Sequence, residues 1–312
     1  MVLIPSLVHN FAVFSSSLER LVQVLSLNGL AGDWMSAPAI VVHGGAGAGP
    51  ERLSNLQPAI EAARRVFELG GDAIQAAVEA CVVLEDDPVF NAGTGSVMRN
   101  DGSVLTDASL QVSDGRMGFV AVMENTPNPI RICVDLLDED INGLAGKGAR
   151  AWADERGHLN STVVGRPPKG NKGDVGELGG PMPELQTDTV GAIARDSSGL
   201  IAAATSTGGT SHRPAGRVGD VPLPGCGFWV QEGLGVAATG VGEAITTALL
   251  SYRVHQKIRN LGESNLESGM QWGIRELIEP ETAVGIISLA SEGEGCGAAN
   301  TNMPWATWSS AS

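Results

Sequence analysis

The stretch Thr189-Val-Gly-Ala-Ile-Ala-Arg195, followed by Asp196-Ser197-Ser198-Gly199 and Leu200-Ile-Ala-Ala-Ala-Thr-Ser-Thr207, decides the fold. Two apolar, β-prone runs separated by a polar turn with glycine predict an antiparallel hairpin. A three-residue loop at 197–199 sets Thr189 opposite Thr207, whereas a two-residue loop sets it opposite Ser206. In the first register Thr205 is a diagonal neighbour on the same face, and in either one hydroxyls crowd Thr189.

Upstream of the hairpin, residues 157–188 carry Gly165, Pro167, Pro168, Gly170, Gly173, Gly176, Gly179, Gly180, Pro181 and Pro183 with little periodicity. This reads as one long linker, and such loops are favoured sites of chain cleavage. Threonine is a poor nucleophile until a base takes its proton. If the chain were cut between Asp188 and Thr189, the new α-amine, titrating near about 7.7–8.0, would supply that base. Threonines are also ordinary strand formers, so the pattern alone leaves a purely structural hairpin open.

Working toward the N-terminus, Ala39-Ile-Val-Val42 is too uniformly apolar for a half-exposed strand and runs into His43-Gly-Gly-Ala-Gly-Ala-Gly-Pro50. It predicts a buried strand entering a glycine-rich turn. Phosphate cradling is disfavoured there: the glycines fall as GxGxG, no Gly-Lys-Ser/Thr follows, and Pro50 removes an amide donor. Two helices are expected next, one over 56–69 with Val66, Phe67 and Leu69 on its packing side and a stop at Gly70-Gly71. The second is capped by Asp72 and runs to about residue 84. Residues 89–97 read as a loop into a strand, and Asp101-Gly102 as a hairpin turn between short β-runs.

Composition narrows the class. The chain has 312 residues, 43% hydrophobic and 18% charged, so it should fold around a sizeable core, and one large α/β-type domain suffices. Its 42 glycines show no G-X-Y period. Against 35 acidic residues stand 20 basic ones, a formal charge of −15, which disfavours nucleic acid and anionic membranes as partners. No apolar run reaches the roughly 18 residues of a membrane span. Cys81, Cys133, Cys226 and Cys296 form no CxxC pair, and His9, His43, His158, His212 and His255 show no ligand spacing, so neither zinc nor a disulfide framework is expected. A reducing cytoplasm is the expected location. Residues 1–36 lack the basic start of a secretion signal. They read as an N-terminal extension with helical spacing at Leu18, Leu21, Val22 and Leu25, or as sequence upstream of a natural start at Met35.

Several motifs fall in order along the chain: Val-Val-His-Gly-Gly-Ala-Gly (41–47), Phe-Asn-Ala-Gly-Thr-Gly (90–95), Asp-Gly-Ser-Val-Leu-Thr-Asp-Ala (101–108), Asp-Thr-Val-Gly-Ala (188–192), Ala-Ala-Ala-Thr-Ser-Thr-Gly-Gly (202–209), Gly-Arg-Val-Gly-Asp (216–220) and Thr-Gly-Val-Gly-Glu (239–243). Together they make the sequence resemble the type-2, plant-type L-asparaginase and isoaspartyl peptidase family of N-terminal-nucleophile (Ntn) hydrolases, related to glycosylasparaginase and threonine aspartase.

The resemblance implies an α+β fold, a four-layer αββα sandwich, that cuts itself before Thr189 into an α chain (37–188) and a β chain (189–312). Thr189 becomes the nucleophile on the β-amide of L-asparagine or a β-aspartyl dipeptide, forming a β-aspartyl ester that water resolves to L-aspartate. By position Thr207 orients the nucleophile, Thr239 and the Gly240 amide oppose the oxyanion, and Asn91 holds the nucleophile's surroundings. Arg217 suits the substrate α-carboxylate and Asp220 the α-ammonium, with Val218, Gly219, Val241 and Gly242 lining the same segments. In an arbitrary loop Arg217 and Asp220 would be a surface ion pair, and Asn91 an Asx-turn residue.

The resemblance also implies a sodium loop formed by the carbonyls of Leu84, Glu85, Asp87, Phe90, Ala92 and Thr94, with no other cofactor required, and a homodimer of αβ units. Asp188, where many plant-type members carry glycine, resembles glycosylasparaginase and threonine aspartase, and would serve as the base for self-cleavage. Glycosylasparaginase, an endopeptidase of the threonine aspartase kind and an uncleaved binding protein remain as alternatives. The lysosomal glycosylasparaginase is secretory, and the linker is short for threonine aspartase.

Overall fold

A computed structural model describes residues 36–167 and 189–311. Asp188 and the expected helix around Leu18–Leu25 lie outside them. The elements are β1 (Ala39–His43), α1 (Gln57–Glu68), α2 (Ala73–Asp86), β2 (Thr106–Val112), β3 (Met117–Met123), α3 (Pro129–Leu136), β4 (Gly143–Ala145), α4 (Gly146–Glu155), β5 (Val190–Arg195), β6 (Ile201–Thr207), β7 (Phe228–Gln231), β8 (Leu234–Gly240), α5 (Gly242–Ala248), α6 (Leu250–Leu261), α7 (Leu266–Leu277), β9 (Val284–Ala290), β10 (Cys296–Ala299) and β11 (Trp305–Ser309). It is a mixed α+β protein.

Seven strands form one sheet in the order β11-β1-β5-β6-β2-β3-β4, and four form a second in the order β10-β9-β8-β7. Among the described strands, β3 and β4 alone pair in parallel. The buried side chains fall into three clusters that follow the two-residue period of the strands. Ile40, Val42, Ala192, Ala202, Ala204 and Leu110 pack on the helices α1–α4. Val236, Ala238, Val284 and Ile286 pack on α6 and α7 through Val254, Ile258 and Met270. The alternate residues Ala39, Val41, Ile193 and Ala203 of the large sheet meet Val230, Ala237, Ile287 and Leu289 of the small one. Strands covered on both faces explain why β1, β5, β6 and β8 read as continuous apolar runs.

The central hairpin has the three-residue loop. Val190 pairs with Ser206, Gly191 with Thr205 and Arg195 with Ile201, and Asp196 N–H closes on Leu200 O at 3.1 Å. The ladder therefore sets Thr189 level with Thr207. Helix α2 starts on a reciprocal capping box between Asp72 and Gln75.

Three local expectations need correcting. Leu69 is 89% exposed rather than packed, because α1 ends at Glu68 and Gly70 (φ +80°) turns the chain away. Residues 89–97 lead into no strand; they contain a 3₁₀ turn, Gly93–Gly95, and a single bridge from Val97 to Arg166. Asp101-Gly102 does form a turn, closed by Arg99 N–H on Ser103 O at 2.8 Å, but its flanks are not ladder strands. The hairpin there is β2–β3, with its turn at Asp114-Gly115.

Candidate active site

Strand alternation aims one set of polar residues into the gap between the sheets. Val190, Ala192, Ala202 and Ala204 face the helices, so Thr189, Gly191, Thr205 and Thr207 face the other sheet. The same parity puts His43 of β1, Asp107 and Ser109 of β2 and Thr239 of β8 on that side. Thr189, Thr207 and Thr239 are all buried. Ser109 and Thr205 share a hydrogen bond of 2.6 Å.

The loop carrying Asn91 fixes the end of β6. Asn91 O accepts from Gly208 N–H at 2.8 Å, its Oδ1 accepts from Val97 N–H at 2.9 Å, and its Nδ2 donates to Gly209 O. An Asx turn would use the amide two residues on, so Asn91 is a cross-loop brace instead. Gly209 N–H in turn donates to Thr207 Oγ1 at 3.0 Å, which leaves the Thr207 hydroxyl hydrogen to donate elsewhere. Gly208 has to be bare: a Cβ there would sit 2.6 Å from Asn91 Oδ1 and 2.4 Å from Ser96 Cβ.

From the second sheet, Thr239 Oγ1 accepts the Ala46 N–H at 3.2 Å, tying the glycine-rich turn after β1 to β8. Gly240 has φ +136°, and a Cβ would fall 2.3 Å from Ala283 O, so this backbone is open to glycine alone. Val241 caps α5, whose first residue is Gly242. A Cβ on Gly242 would lie 2.7 Å from Arg217 Nη2 and 2.8 Å from Asp220 Oδ1, which places both charged groups around this one glycine. Gly219 leaves similar room for Arg217 Nη1, at 2.6 Å, while Val218 points outward, 42% exposed.

Arg217 and Asp220 are not a surface pair. Arg217 donates through Nε and Nη2 to the two oxygens of Glu243, at 3.2 and 2.9 Å, and Arg213 Nε stands 3.7 Å from the same carboxylate. Asp220 is buried, with Oδ2 lacking any partner among the described residues, and burial pushes its carboxyl up to about 7, against the opposing pull of Arg217. The pair thus sets a buried carboxylate oxygen without a donor beside a guanidinium, groups of the charge and geometry that could take an ammonium and a carboxylate.

The Asparaginase family model matches residues 36–164 and 166–312. The chain belongs to the asparaginase family. It is similar to the plant-type L-asparaginase of Pyrobaculum calidifontis, 34% identical over 296 residues, 86% of this chain and 96% of the relative. An isoaspartyl peptidase/L-asparaginase of Xenopus laevis is 33% identical, covering 86% and 91% of the two chains, and one from Synechocystis is 31% identical, covering 82% and 83%.

Within this family member, three groups near the site escaped the sequence reading. Glu243 stands in the sequence only as the end of a motif, because its partner lies 26 residues away. Asp107 stands opposite Thr207 in the β2–β6 ladder; its Oδ1 accepts from Val122 N–H at 2.7 Å, and burial raises the carboxyl to about 6. His43 is buried beside Gly191, a Cβ on which would lie 2.5 Å from Nε2. Its Nδ1 accepts from Gly45 N–H at 3.2 Å, which assigns the proton to Nε2, and burial lowers the ring to about 3, so it stays neutral at working pH.

The loop with the carbonyls of Leu84, Glu85, Asp87, Phe90, Ala92 and Thr94 suits a cation of low charge. Residue 88 is proline and offers Leu84 O no helical donor, and Val89 N–H turns to Asp87 Oδ1 at 2.9 Å instead of Glu85 O. Those carbonyls press on bare backbone: Glu85 O lies 2.6 Å from where a Gly93 Cβ would stand, and Phe90 O 2.0 Å from one on Gly95. Oxygen donors without a dedicated side-chain carboxylate fit a monovalent ion. No cluster of His, Cys, Asp and Glu among the described residues has metal-binding geometry.

Proposed function

We propose that this chain is an autoprocessed amidohydrolase that releases L-aspartate from L-asparagine and β-aspartyl dipeptides. The observation that carries the reading is the hairpin register, which sets Thr189 level with Thr207 in the gap between the sheets, immediately after the end of the linker. Cleavage of the Asp188–Thr189 bond would free the Thr189 amine as base. The amine takes the Thr189 Oγ proton, Oγ bonds to the β-amide carbon, and the C–N bond breaks as the departing nitrogen takes that proton back. Water then attacks the ester, restoring Thr189 and releasing aspartate. Thr207 orients the nucleophile and Thr239 with the Gly240 amide stabilises the oxyanion. Arg217 and ionised Asp220 take the α-carboxylate and α-ammonium.

The three clusters of buried side chains support the four-layer αββα arrangement of an Ntn hydrolase. A sodium ion held by the six loop carbonyls would supply fixed positive charge behind Asn91. We propose a homodimer of αβ units in a reducing cytoplasm, in keeping with four free cysteines. No described helix is long and apolar enough to cross a membrane. The family match starts at residue 36, the last residue of the proposed 1–36 extension.

A denaturing gel and mass spectrometry test the central step. Two fragments with Thr189 as a new N-terminus, lost in Thr189→Ala, are expected; an intact chain in active wild-type protein refutes it. Aspartate release from asparagine, β-aspartyl dipeptides and glycosylasparagine, measured on one processed preparation, then ranks the substrates. Activity confined to glycosylasparagine, or to an internal Asp-Gly bond of a protein, overturns the ranking.

A further inference from the structure

Arg166 belongs to none of the groups that the proposed reaction uses, yet it is bound to the loop behind the site more tightly than a surface arginine needs to be. Its backbone N–H donates to Ser96 O at 2.8 Å and its carbonyl accepts from Met98 N–H at 3.0 Å, making the bridge to Val97. Its side chain turns back to the same loop, with Nε donating to Gly95 O at 2.6 Å and Nη1 to Val89 O at 3.3 Å. These two carbonyls flank Asn91 on either side. A planar guanidinium has its donors at a fixed spacing, so bonding both carbonyls sets the distance between the two ends of the Asn91 loop.

The connection continues inward without a break. Val97, bridged to Arg166, donates its N–H to Asn91 Oδ1 at 2.9 Å; Asn91 holds Gly208 N–H and Gly209 O; Gly209 N–H holds Thr207 Oγ1 at 3.0 Å. Gly165 (φ +70°) fits closely against Ser96 O, 2.9 Å from where its Cβ would stand, so this approach of the chain is specific.

We propose that Arg166 is a positioning residue for the reaction, a clamp on the Asn91 loop that fixes the hydroxyl of Thr207. This rests on the reading of Thr189 and Thr207 given above. It also means that the first part of the 157–188 linker, around Arg166, is packed on the Asn91 loop and would remain part of the working site after the chain is cut.

The test compares Arg166→Met and Arg166→Lys with wild type as processed protein, each concentration corrected for the fraction cut at Thr189. For Arg166→Met, kcat should fall about tenfold or more while KM stays within about twofold, because the Arg217 and Asp220 end of the site is untouched. Arg166→Lys, which can serve one carbonyl but not both, should fall between. Asn91→Ala should lower kcat in wild type and add little to Arg166→Met, since both substitutions break one path. Wild-type kcat in Arg166→Met, multiplicative effects of the two substitutions, or wild-type kcat in Arg166→Lys should Arg166→Met not accumulate, would each overturn the clamp. Hydrogen exchange gives a reading independent of turnover: the amides of Val97, Gly208 and Gly209 should exchange faster in both Arg166 variants, and unchanged exchange counts against the proposal. If wild type itself releases no aspartate, the function assigned above fails, and the exchange result still decides the clamp.

Discussion

Replacing Asp220 by asparagine should stabilise the fold at alkaline pH while removing substrate binding. The folded carboxyl takes its proton near pH 7 and an ordinary aspartate near 3.8, so between these values the folded chain holds a proton that the unfolded chain has lost. Raising the pH strips that proton and weakens the folded state. Over the whole interval the loss comes to ~4 kcal/mol, at 1.36 kcal/mol for each tenfold change in proton affinity. About 3 kcal/mol of it falls between pH 5 and pH 8. Asparagine does not titrate, so the stability difference between Asp220→Asn and wild type should widen by that amount over the same range. Urea or thermal unfolding of both proteins at pH 5, 6, 7 and 8 measures it, and parallel pH dependences would refute the argument that a buried, unpartnered carboxylate is being held for a ligand. The ionised form is also the one that accepts an ammonium. Wild-type kcat/KM should therefore rise with pH up to about 7, with about 1% of the binding-competent form left at pH 5, and the variant should show little activity anywhere.

Glu243→Ala should raise KM about tenfold with kcat within about twofold, because it frees the Arg217 guanidinium without touching the nucleophile; Glu243 is half exposed, so Tm should scarcely move. An unchanged KM would show that Arg217 needs no brace. Gly191→Ala puts a methyl 2.5 Å from His43 Nε2 and 3.0 Å from its Cδ2, in a core where the ring is fully buried. A loss of about 1–3 kcal/mol in unfolding free energy is expected, and wild-type stability would mean that the imidazole is free to turn away.

Much of this arrangement was legible in the sequence because it is written in short-range terms. The 189–207 hairpin is fixed by its own turn, Asp196 to Leu200, and by strands covered on both faces. Helix α2 is announced by Asp72. Gly208 and Gly240 have neighbours closer than a methyl group allows, Gly209 has a positive φ, and Gly219 and Gly242 leave the room that the Arg217 and Asp220 side chains occupy, which is why the motifs containing them pointed to the right segments. What stayed hidden depends on side chains meeting across long stretches of chain. Glu243 reaches Arg217 over 26 residues, and Arg166 reaches Gly95 over 71. Asp107 gains its raised carboxyl only from burial, which outweighs the opposing pull of the Val122 N–H bond and of Arg99 and Arg217. Leu69 misled because helical periodicity carries no information about where the helix stops.

If the chain is cut before Thr189 as proposed, the order of strands in the large sheet decides what becomes of the two pieces. Reading across, β11, β5 and β6 lie after residue 188 and β1, β2, β3 and β4 before it, with junctions at β11–β1, β1–β5 and β6–β2. The two pieces are thus laced together, and severing the backbone frees neither. The reverse trip is another matter: once melted apart, two separate polypeptides would have to find each other and re-interleave, paying an entropy of association that the single precursor never faced. A protein cut in this way would assemble once as a single chain, and its recovery from heat inactivation should be poor at low protein concentration and rise as the concentration is raised.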